Sequence, residues 1–253
     1  MILLIVPGVF AVTAFAISAA GLDRLALWPV VRACVADFKL TGAPFPCLKV
    51  DLSSDEERGF VVLRSPLLNE LIVAPTREVV GIEDPFLQLA GAPNYFNAAW
   101  CARSFLGSAD GREPGRDEIA LVVNSTVVRT QDQLHVHVGC LRSHPRLMLA
   151  AAAPNVPIGK WVRIGNVVPH VMFWGMRIRG TDLSDIRPFS LAAEAFGDKV
   201  GHRGDLTIAA AGVRVEGDDQ FLVLASYAEA TDSWLPARSS DLLDENCPAG
   251  PSD

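Results

Sequence analysis

The sequence predicts an α+β fold built on mostly antiparallel strands. Short runs rich in β-branched residues recur along the 253-residue chain, and helical patterns separate only some of them. The run Gly217-Asp218-Asp219 lies between two such segments and is typical of a hairpin turn. No internal repeat or low-complexity linker divides the chain, so we expect residues 46–250 to form a single domain.

The predicted strands are short segments in which apolar residues predominate. They cover 47–52, 59–64, 69–75, 118–124, 134–141, 161–164, 171–179, 206–215 and 221–226. The segments 118–124 and 134–141 have the strongest strand pattern, because aliphatic and β-branched residues recur in them.

Helices are predicted where apolar residues recur with helical spacing. In 94–106, Phe96, Trp100 and Phe105 lie roughly on one side of a helix. Asn94 is a typical N-cap for that helix. The remaining helical segments are 23–45, 146–153 and 189–196.

The first 22 residues contain no charged side chain and account for much of the mean hydropathy of +0.27. A helix of that length spans ~33 Å, which matches the hydrocarbon core of a bilayer. We therefore predict a membrane anchor over 1–22, followed by a connecting helix and stalk over 23–45. Two alternatives remain open: a cleaved signal peptide ending in the small residues 18–21, and a buried core helix.

Charge and cysteine content narrow the function classes. The net charge of −7 disfavours binding of nucleic acid or anionic membranes through bulk charge. The five cysteines, Cys34, Cys47, Cys101, Cys140 and Cys247, show no zinc-finger spacing. In an oxidising compartment they allow up to two disulfides with one thiol left over. The alternative is five buried thiols.

The strongest chemical signal is the segment from Gln133 to His137, in which polar and apolar residues alternate. Side chains two apart on a strand share one face, so Gln133, His135 and His137 are predicted to lie together. Leu134 and Val136 then face the opposite way, into a core. A polar row opposite an apolar face is typical of an active-site floor.

Three interpretations of this histidine row are open. Two imidazoles on one face can chelate zinc, although no further ligand stands at a characteristic spacing. Alternatively, a neutral imidazole attacks phosphorus and forms a phosphoramidate that water cleaves, while the second histidine moves a proton or neutralises charge. The third interpretation is a solvated strand face without a chemical role.

The loop 124–132 before the row favours a phosphate site. It carries Asn124, Arg129 and Gln131, whose side chains hydrogen-bond phosphate and ribose oxygens. Arg129 adds a charge-assisted donor, and its positive charge repels a metal ion. The loop therefore favours phosphate chemistry over zinc binding.

The segment 129–140 also carries a family resemblance. Its Gln-Leu-His-Val-His-Val run is similar to the histidine-triad motif, in which histidines alternate with hydrophobic residues along a strand. The other matching stretches are 46–50, 59–64, 74–83, 93–96, 99–100 and 124–125. On these residues the chain resembles the bacterial CDP-diacylglycerol pyrophosphatases of the histidine-triad-like superfamily, strongly over 46–142 and thinly over 155–247.

The resemblance implies a histidine-triad-like fold, in which an antiparallel sheet with packed helices follows an N-terminal hydrophobic helix. It implies hydrolysis of CDP-diacylglycerol to CMP and phosphatidate, with His135 as the nucleophile that carries a nucleotidyl intermediate. The alternative is a related hydrolase or nucleotidyltransferase that acts on a soluble nucleotide diphosphate compound.

The resemblance also implies the other site residues. His137, Asn124 and Arg129 would stabilise the charged oxygens, and Gln131 or Gln133 would orient phosphate or water. Gln133 stands where the motif has its first histidine, which is a departure from the triad. A second departure is at 127–128, where two valines stand and the family tends to have a glycine.

No metal and no cofactor is implied, and neither is a nucleic-acid partner. The substrate is a lipid that stays in the bilayer, so the resemblance implies a single-pass protein of the inner membrane. Its catalytic domain is expected on the exported, periplasmic side. The oligomeric state is left open.

Overall fold

The computed structural model describes residues 23–53, 55–65, 70–107, 112–228, 236–244 and 247. The predicted anchor over 1–22 lies outside these residues. Within the described ranges, no helix combines the length and the apolar character that a membrane crossing requires.

The described residues form nine strands and five α-helices. The strands are β1 (Lys49–Asp51), β2 (Phe60–Arg64), β3 (Leu71–Pro75), β4 (Ile119–Val123), β5 (Val136–Cys140), β6 (Val162–Val168), β7 (Val171–Arg179), β8 (Thr207–Val215) and β9 (Asp218–Ser226). The helices are α1 (Leu27–Thr41), α2 (Tyr95–Ala102), α3 (Ser143–Ala152), α4 (Pro188–Phe196) and α5 (Ser239–Leu242).

All nine strands belong to one sheet, in the order β1-β2-β3-β5-β4-β8-β9-β7-β6. Every neighbouring pair in it is antiparallel, which confirms the predicted α+β class with antiparallel strands. The strand β5 lies inside the sheet and pairs with β3 on one side and β4 on the other. Side chains on β5 therefore project from a backbone that is hydrogen-bonded along both edges.

Helices cover the two faces of the sheet differently. On the first face, α2 and α4 pack against the sheet and bury the larger core, which includes Val73, Leu121 and Val136. On the second face there are two separate clusters. One lies under α1 over β1–β3, and the other lies under α3 over β4 and the strands β6–β9. The second face of β5 lies between these two clusters, because β5 runs between β3 and β4.

The helix predicted over 94–106 is present but shorter. Asn94 caps it as expected, since its side chain accepts a hydrogen bond from the Asn97 backbone N–H at 3.0 Å. Phe96 and Trp100 are fully buried in the core. The prediction for Phe105 is wrong: the α-helix ends at Ala102, a 3₁₀ turn follows, and Phe105 is left 39% exposed. Phe105 follows Phe96 by nine residues, which is about two and a half turns, so even a continued α-helix would place the two rings on opposite sides.

The hairpin between β8 and β9 turns one residue earlier than its glycine and aspartates suggest. Val215 pairs with Asp218, so the turn consists of Glu216 and Gly217 alone. Both have positive φ, 54° and 88°, as the favoured two-residue hairpin turn requires. Asp218 and Asp219 are already paired residues of β9, which corrects the predicted turn.

Two disulfides are formed, which confirms the expectation of up to two with one thiol left over. Cys34 of α1 pairs with Cys47, and Cys140 at the end of β5 pairs with Cys247. Cys101 is free and exposed. The first bridge fixes α1 to the chain before β1, and the second fixes the C-terminal segment to the strand that carries the histidines.

Candidate functional site

The predicted histidine row lies on β5 and just before it, in the middle of the sheet. His137 stands between Ile72 of β3 and Val122 of β4, while the adjacent Val136 faces the core on the opposite side. The predicted alternation is therefore confirmed. His135 and His137 are only 5% and 8% exposed, so the interpretation as a solvated strand face is wrong.

One ring nitrogen of His135 is hydrogen-bonded to the backbone, and this contact fixes the tautomer of the ring. Its Nδ1 lies 2.7 Å from the backbone carbonyl oxygen of Gln133. A carbonyl oxygen can only accept, so Nδ1 carries the proton and Nε2 carries a lone pair. Burial lowers the pKa of His135 from 6.5 to about 3, with a further contribution from the His137 ring. The imidazole is thus neutral across the physiological range.

The tautomer of His137 follows from a chain of contacts that begins at a backbone amide. The Ser239 N–H donates to Asn124 Oδ1 at 2.7 Å, which fixes the orientation of that side-chain amide. Asn124 Nδ2 then donates to His137 Nε2 at 3.2 Å and to Ser239 Oγ at 3.1 Å. Because Nε2 accepts this hydrogen bond, the proton of the His137 ring is on Nδ1. Asn124 therefore lies beside the histidines, as predicted.

The proton on His137 Nδ1 is donated to a buried carboxylate. Glu70, which is 4% exposed, accepts it through Oε1 at 2.9 Å. Glu70 stands just before β3, on the same side of the sheet as Ile72. The ring of His135 lies 4.7 Å from that of His137 in an edge-on arrangement, so the two imidazoles and the carboxylate form one buried cluster.

Arg129 is neutralised by two carboxylates. Its guanidinium contacts Glu83 at 2.8 Å and Asp132 at 3.1 Å, and its side chain is only 6% exposed. Gly81 makes room for it, since a Cβ at that position would collide with the guanidinium. The charge of Arg129 contributes to the lowered pKa of His135, so it lies within electrostatic range of the histidines.

The side chain of Gln131 is engaged away from the histidines. Its Oε1 accepts from the Leu27 N–H at 2.7 Å, and its Nε2 donates to the Asp23 carbonyl at 3.0 Å. Arg24 reinforces the same contact through Asp132 at 2.6 Å. The structure thus places Gln131 as a tie between the loop and the start of α1.

The side chain of Gln133 is buried and fully engaged with backbone groups. Its amide N–H groups donate to the carbonyls of Pro75 and Arg77, and its Oε1 accepts from the Val79 N–H at 3.2 Å. These bonds hold the chain that leaves β3 against the chain that enters β5. Gln133 contributes to the site through its carbonyl, which holds His135.

Sequence reasoning missed Glu70 and Ser239. Glu70 lies inside the predicted strand 69–75 and carries no local signal for a partner 67 positions away. Ser239 lies 115 positions after Asn124, in a short C-terminal helix without a motif. The alternation of β3 places Glu70 on the side of Ile72, but only the pairing of β3 with β5 brings that side to the histidines.

The cluster has the composition of a proton-handling and nucleophilic site. Across the described ranges, no three His, Cys, Asp or Glu side chains are placed to hold a metal ion together. Both imidazoles present an unprotonated Nε2 in a buried setting, where a lone pair is poorly solvated. Such a pair supplies one nucleophile and one proton acceptor.

Comparison with known proteins gives a consistent result. The sequence model of a family described as CDP-diacylglycerol pyrophosphatase matches residues 22–251. A CDP-diacylglycerol pyrophosphatase of Yersinia pestis is 33% identical over 227 residues, which covers 88% of this chain and 83% of the relative. A probable CDP-diacylglycerol pyrophosphatase of Mycobacterium leprae is 30% identical over 229 residues, covering 88% and 80%. These matches confirm the family resemblance that the histidine motif and its neighbouring stretches predict.

Proposed function

The chain belongs to the CDP-diacylglycerol pyrophosphatase family, and we propose that it hydrolyses CDP-diacylglycerol to CMP and phosphatidate through a nucleotidyl intermediate on His135. The observation that carries the intermediate is the tautomer of this residue. A backbone carbonyl holds the proton on Nδ1, and burial keeps the ring neutral, so Nε2 has the lone pair of a nucleophile.

In the first step, His135 Nε2 attacks the phosphorus next to cytidine. A P–N bond forms, the bond from that phosphorus to the bridging oxygen breaks, and its electron pair leaves with phosphatidate. The attack requires a ring whose orientation is already set. The 2.7 Å bond from Nδ1 to the Gln133 carbonyl supplies that orientation and stabilises the positive charge that develops on the ring.

In the second step, water attacks the same phosphorus and the P–N bond breaks. Its electron pair returns to His135, and CMP is released. His137 Nε2 accepts the proton of the water as the hydrogen bond that Asn124 donates to this nitrogen in the resting site breaks. The Asn124 N–H that is released in this exchange then donates to an oxygen that gains charge.

The roles of the other predicted residues are structural in this proposal. Arg129 is neutralised by Glu83 and Asp132, and the amides of Gln131 and Gln133 are engaged with backbone groups. These contacts support a role in holding the loop and strand in place. The positive charge of Arg129 still contributes to the neutrality of His135.

The histidine-triad-like fold and the membrane location belong to this proposal. The alternation of histidines on an inner antiparallel strand supports the fold. Two disulfides support an oxidising, exported compartment for the catalytic domain. The uncharged residues 1–22 would hold this domain at the inner membrane, where a diacylglycerol substrate stays at high effective concentration.

The test is a single-turnover experiment with cytidine-labelled CDP-diacylglycerol in detergent micelles. Wild-type enzyme should form an acid-labile, alkali-stable labelled adduct and then release CMP. H135Q should form no adduct and lose on the order of 10⁴-fold in CMP release. H144Q, a substitution of an exposed histidine on α3, serves as the matched control and should behave as wild type.

Two results would count against the proposal. CMP release by H135Q at the wild-type rate would show that another group attacks the phosphorus. Faster turnover of soluble CDP-alcohols than of CDP-diacylglycerol, unaffected by removal of residues 1–22, would instead indicate the soluble-nucleotide hydrolase.

A further inference from the structure

We propose that Glu70 is a positioning residue that enables His137 to take the proton of the hydrolytic water in the second half of the reaction. The inference rests on the proposed function, because it concerns the breakdown of the His135 adduct. It predicts that the two halves of the reaction depend on different residues: formation of the adduct on His135, and its hydrolysis on His137 with Glu70.

The contacts of the two histidines differ in one respect. Each ring donates its Nδ1 proton, but His135 donates to a neutral backbone carbonyl and His137 to the Glu70 carboxylate. A carboxylate behind an imidazole stabilises the imidazolium that forms when the other nitrogen gains a proton. A backbone carbonyl stabilises an imidazolium far less, so the ring of His135 stays neutral in the resting site. The carboxylate contact of His137 therefore suits a base, and the carbonyl contact of His135 suits a nucleophile.

The surroundings of His137 make the carboxylate decisive. Its described contacts are Glu70, the Asn124 amide and the ring of His135, which is neutral. Of these three contacts, only the carboxylate carries a charge. The positive charge of Arg129 acts on the other histidine and is itself compensated by Glu83 and Asp132. A proton that arrives on His137 Nε2 therefore meets its opposite charge at Glu70, 2.9 Å from Nδ1.

Glu70 is also held where it can set the ring orientation. It is 4% exposed and stands at the start of β3, which is hydrogen-bonded to β5. The Ser65 backbone N–H donates to the Glu70 backbone carbonyl at 3.0 Å, which ties the residue after β2 to the residue before β3. From the other side, Asn124 contacts Nε2 and is fixed by the Ser239 backbone. The ring is thus fixed at both nitrogens, and the charged contact is on one of them.

Water oxygen forms a bond to phosphorus while the P–N bond to His135 breaks and its electron pair returns to Nε2. One water proton moves to His137 Nε2 while the hydrogen bond from Asn124 Nδ2 to this nitrogen breaks, so the pair of His137 and Glu70 becomes imidazolium and carboxylate. That proton leaves to solvent with CMP, and the neutral ring with its Nδ1–H donated to Glu70 is restored.

The experiment separates the two halves in single-turnover measurements of the full chain with cytidine-labelled CDP-diacylglycerol. E70Q keeps a hydrogen-bond acceptor of the same size and removes the charge. Adduct formation should stay within about twofold of wild type, while adduct decay should slow by about 10²-fold, the usual contribution of a general base. In steady state, kcat and KM should fall together and kcat/KM should be retained, because the second step becomes limiting.

Two further variants keep the inference falsifiable. E118Q is the matched control, since Glu118 is a buried carboxylate just before β4 whose partners are Arg112 and Arg146. It should decay at the wild-type rate. If E70Q does not fold, E70D replaces it: the carboxylate is retained but one methylene further from the ring, so decay should again slow while formation is preserved.

The outcomes distinguish this inference from the proposed function. Adduct decay in E70Q at the wild-type rate, or equal slowing of decay in E118Q, overturns the role of Glu70 and leaves the nucleophile untouched. Slow formation with normal decay also overturns it. Absence of any adduct in wild-type enzyme refutes the covalent mechanism itself, while accumulation of adduct in E70Q supports both.

Discussion

The histidine segment 133–137 and the loop 124–132 before it are equally good candidates for phosphate chemistry by sequence, but the folded protein surrounds their side chains differently. Both contain polar residues suited to phosphate, and both precede or enter β5. In the histidine segment, both imidazoles are unprotonated at Nε2, and Nε2 of His137 accepts a hydrogen bond from Asn124. In the loop, the side chains of Arg129 and Gln131 are satisfied by partners within the protein.

This difference shows that residue type near a motif does not by itself assign a ligand-binding role. A guanidinium with two carboxylates at hydrogen-bond distance has little charge left for a phosphate dianion. An imidazole with one nitrogen anchored and the other a free lone pair is preorganised for chemistry. The partners decide which of these applies, and they come from distant parts of the chain.

Substitution of Arg129 by Met is the strongest way to break this comparison. It leaves Glu83 without its cation and Asp132 with Arg24 alone, so the free energy of unfolding should fall by about 3 kcal/mol, a value already reduced for the partial exposure of both carboxylates. In the folded fraction, kcat/KM should fall less than tenfold. Denaturant unfolding and steady-state kinetics measure the two effects. A loss of kcat/KM by 10³-fold at unchanged stability would instead show that Arg129 binds the phosphates.

The pH dependence of stability tests the buried, neutral state of His135. Its pKa is about 3 in the folded protein against an ordinary 6.5, so below pH 6.5 the unfolded chain binds a proton that the folded protein does not. Stability from this group is thus full above 6.5 and falls as pH drops toward 3. Between pH 7 and 4.5, wild type should lose about 2.5 kcal/mol more than H135Q in denaturant unfolding. Equal losses of stability in wild type and H135Q would contradict a buried, neutral His135 ring.

Substitution of Gln131 by Ala gives the smallest effect. It removes the acceptor for the Leu27 N–H and the donor to the Asp23 carbonyl, which tie the loop to α1. We expect a loss of about 1 kcal/mol in the free energy of unfolding, with kcat and KM both unchanged. Thermal unfolding and kinetics on CDP-diacylglycerol check it. A raised KM at unchanged stability would place Gln131 at the substrate.

Local patterns predicted the elements well, and deviations arose where packing or turn geometry intervened. The segment 171–179 is a strand over its predicted length, because Val171, Phe173, Trp174 and Ile178 favour strands and no proline interrupts them. Phe105 does not share the buried side of Phe96, because nine residues make about two and a half helical turns and leave the two rings on opposite sides. The hairpin moved to Glu216 and Gly217 because the two-residue turn needs two positive φ angles.

By itself, the sequence determined the part of the site that depends on strand alternation. Residues two apart on a strand share a face whatever surrounds them, so His135 and His137 were brought together by local geometry. The same holds for the apolar residues between them, which supply the core on the opposite face.

Only the tertiary structure decided which groups contact, orient or neutralise the side chains in and around the site. Glu70 reaches His137, Glu83 reaches Arg129 and Cys247 reaches Cys140 across sequence separations of 67, 46 and 107 positions. Such contacts depend on strand order and register, which result from the packing of the whole sheet. Local alternation therefore brings the two histidines together, and long-range pairing decides which group each of them contacts.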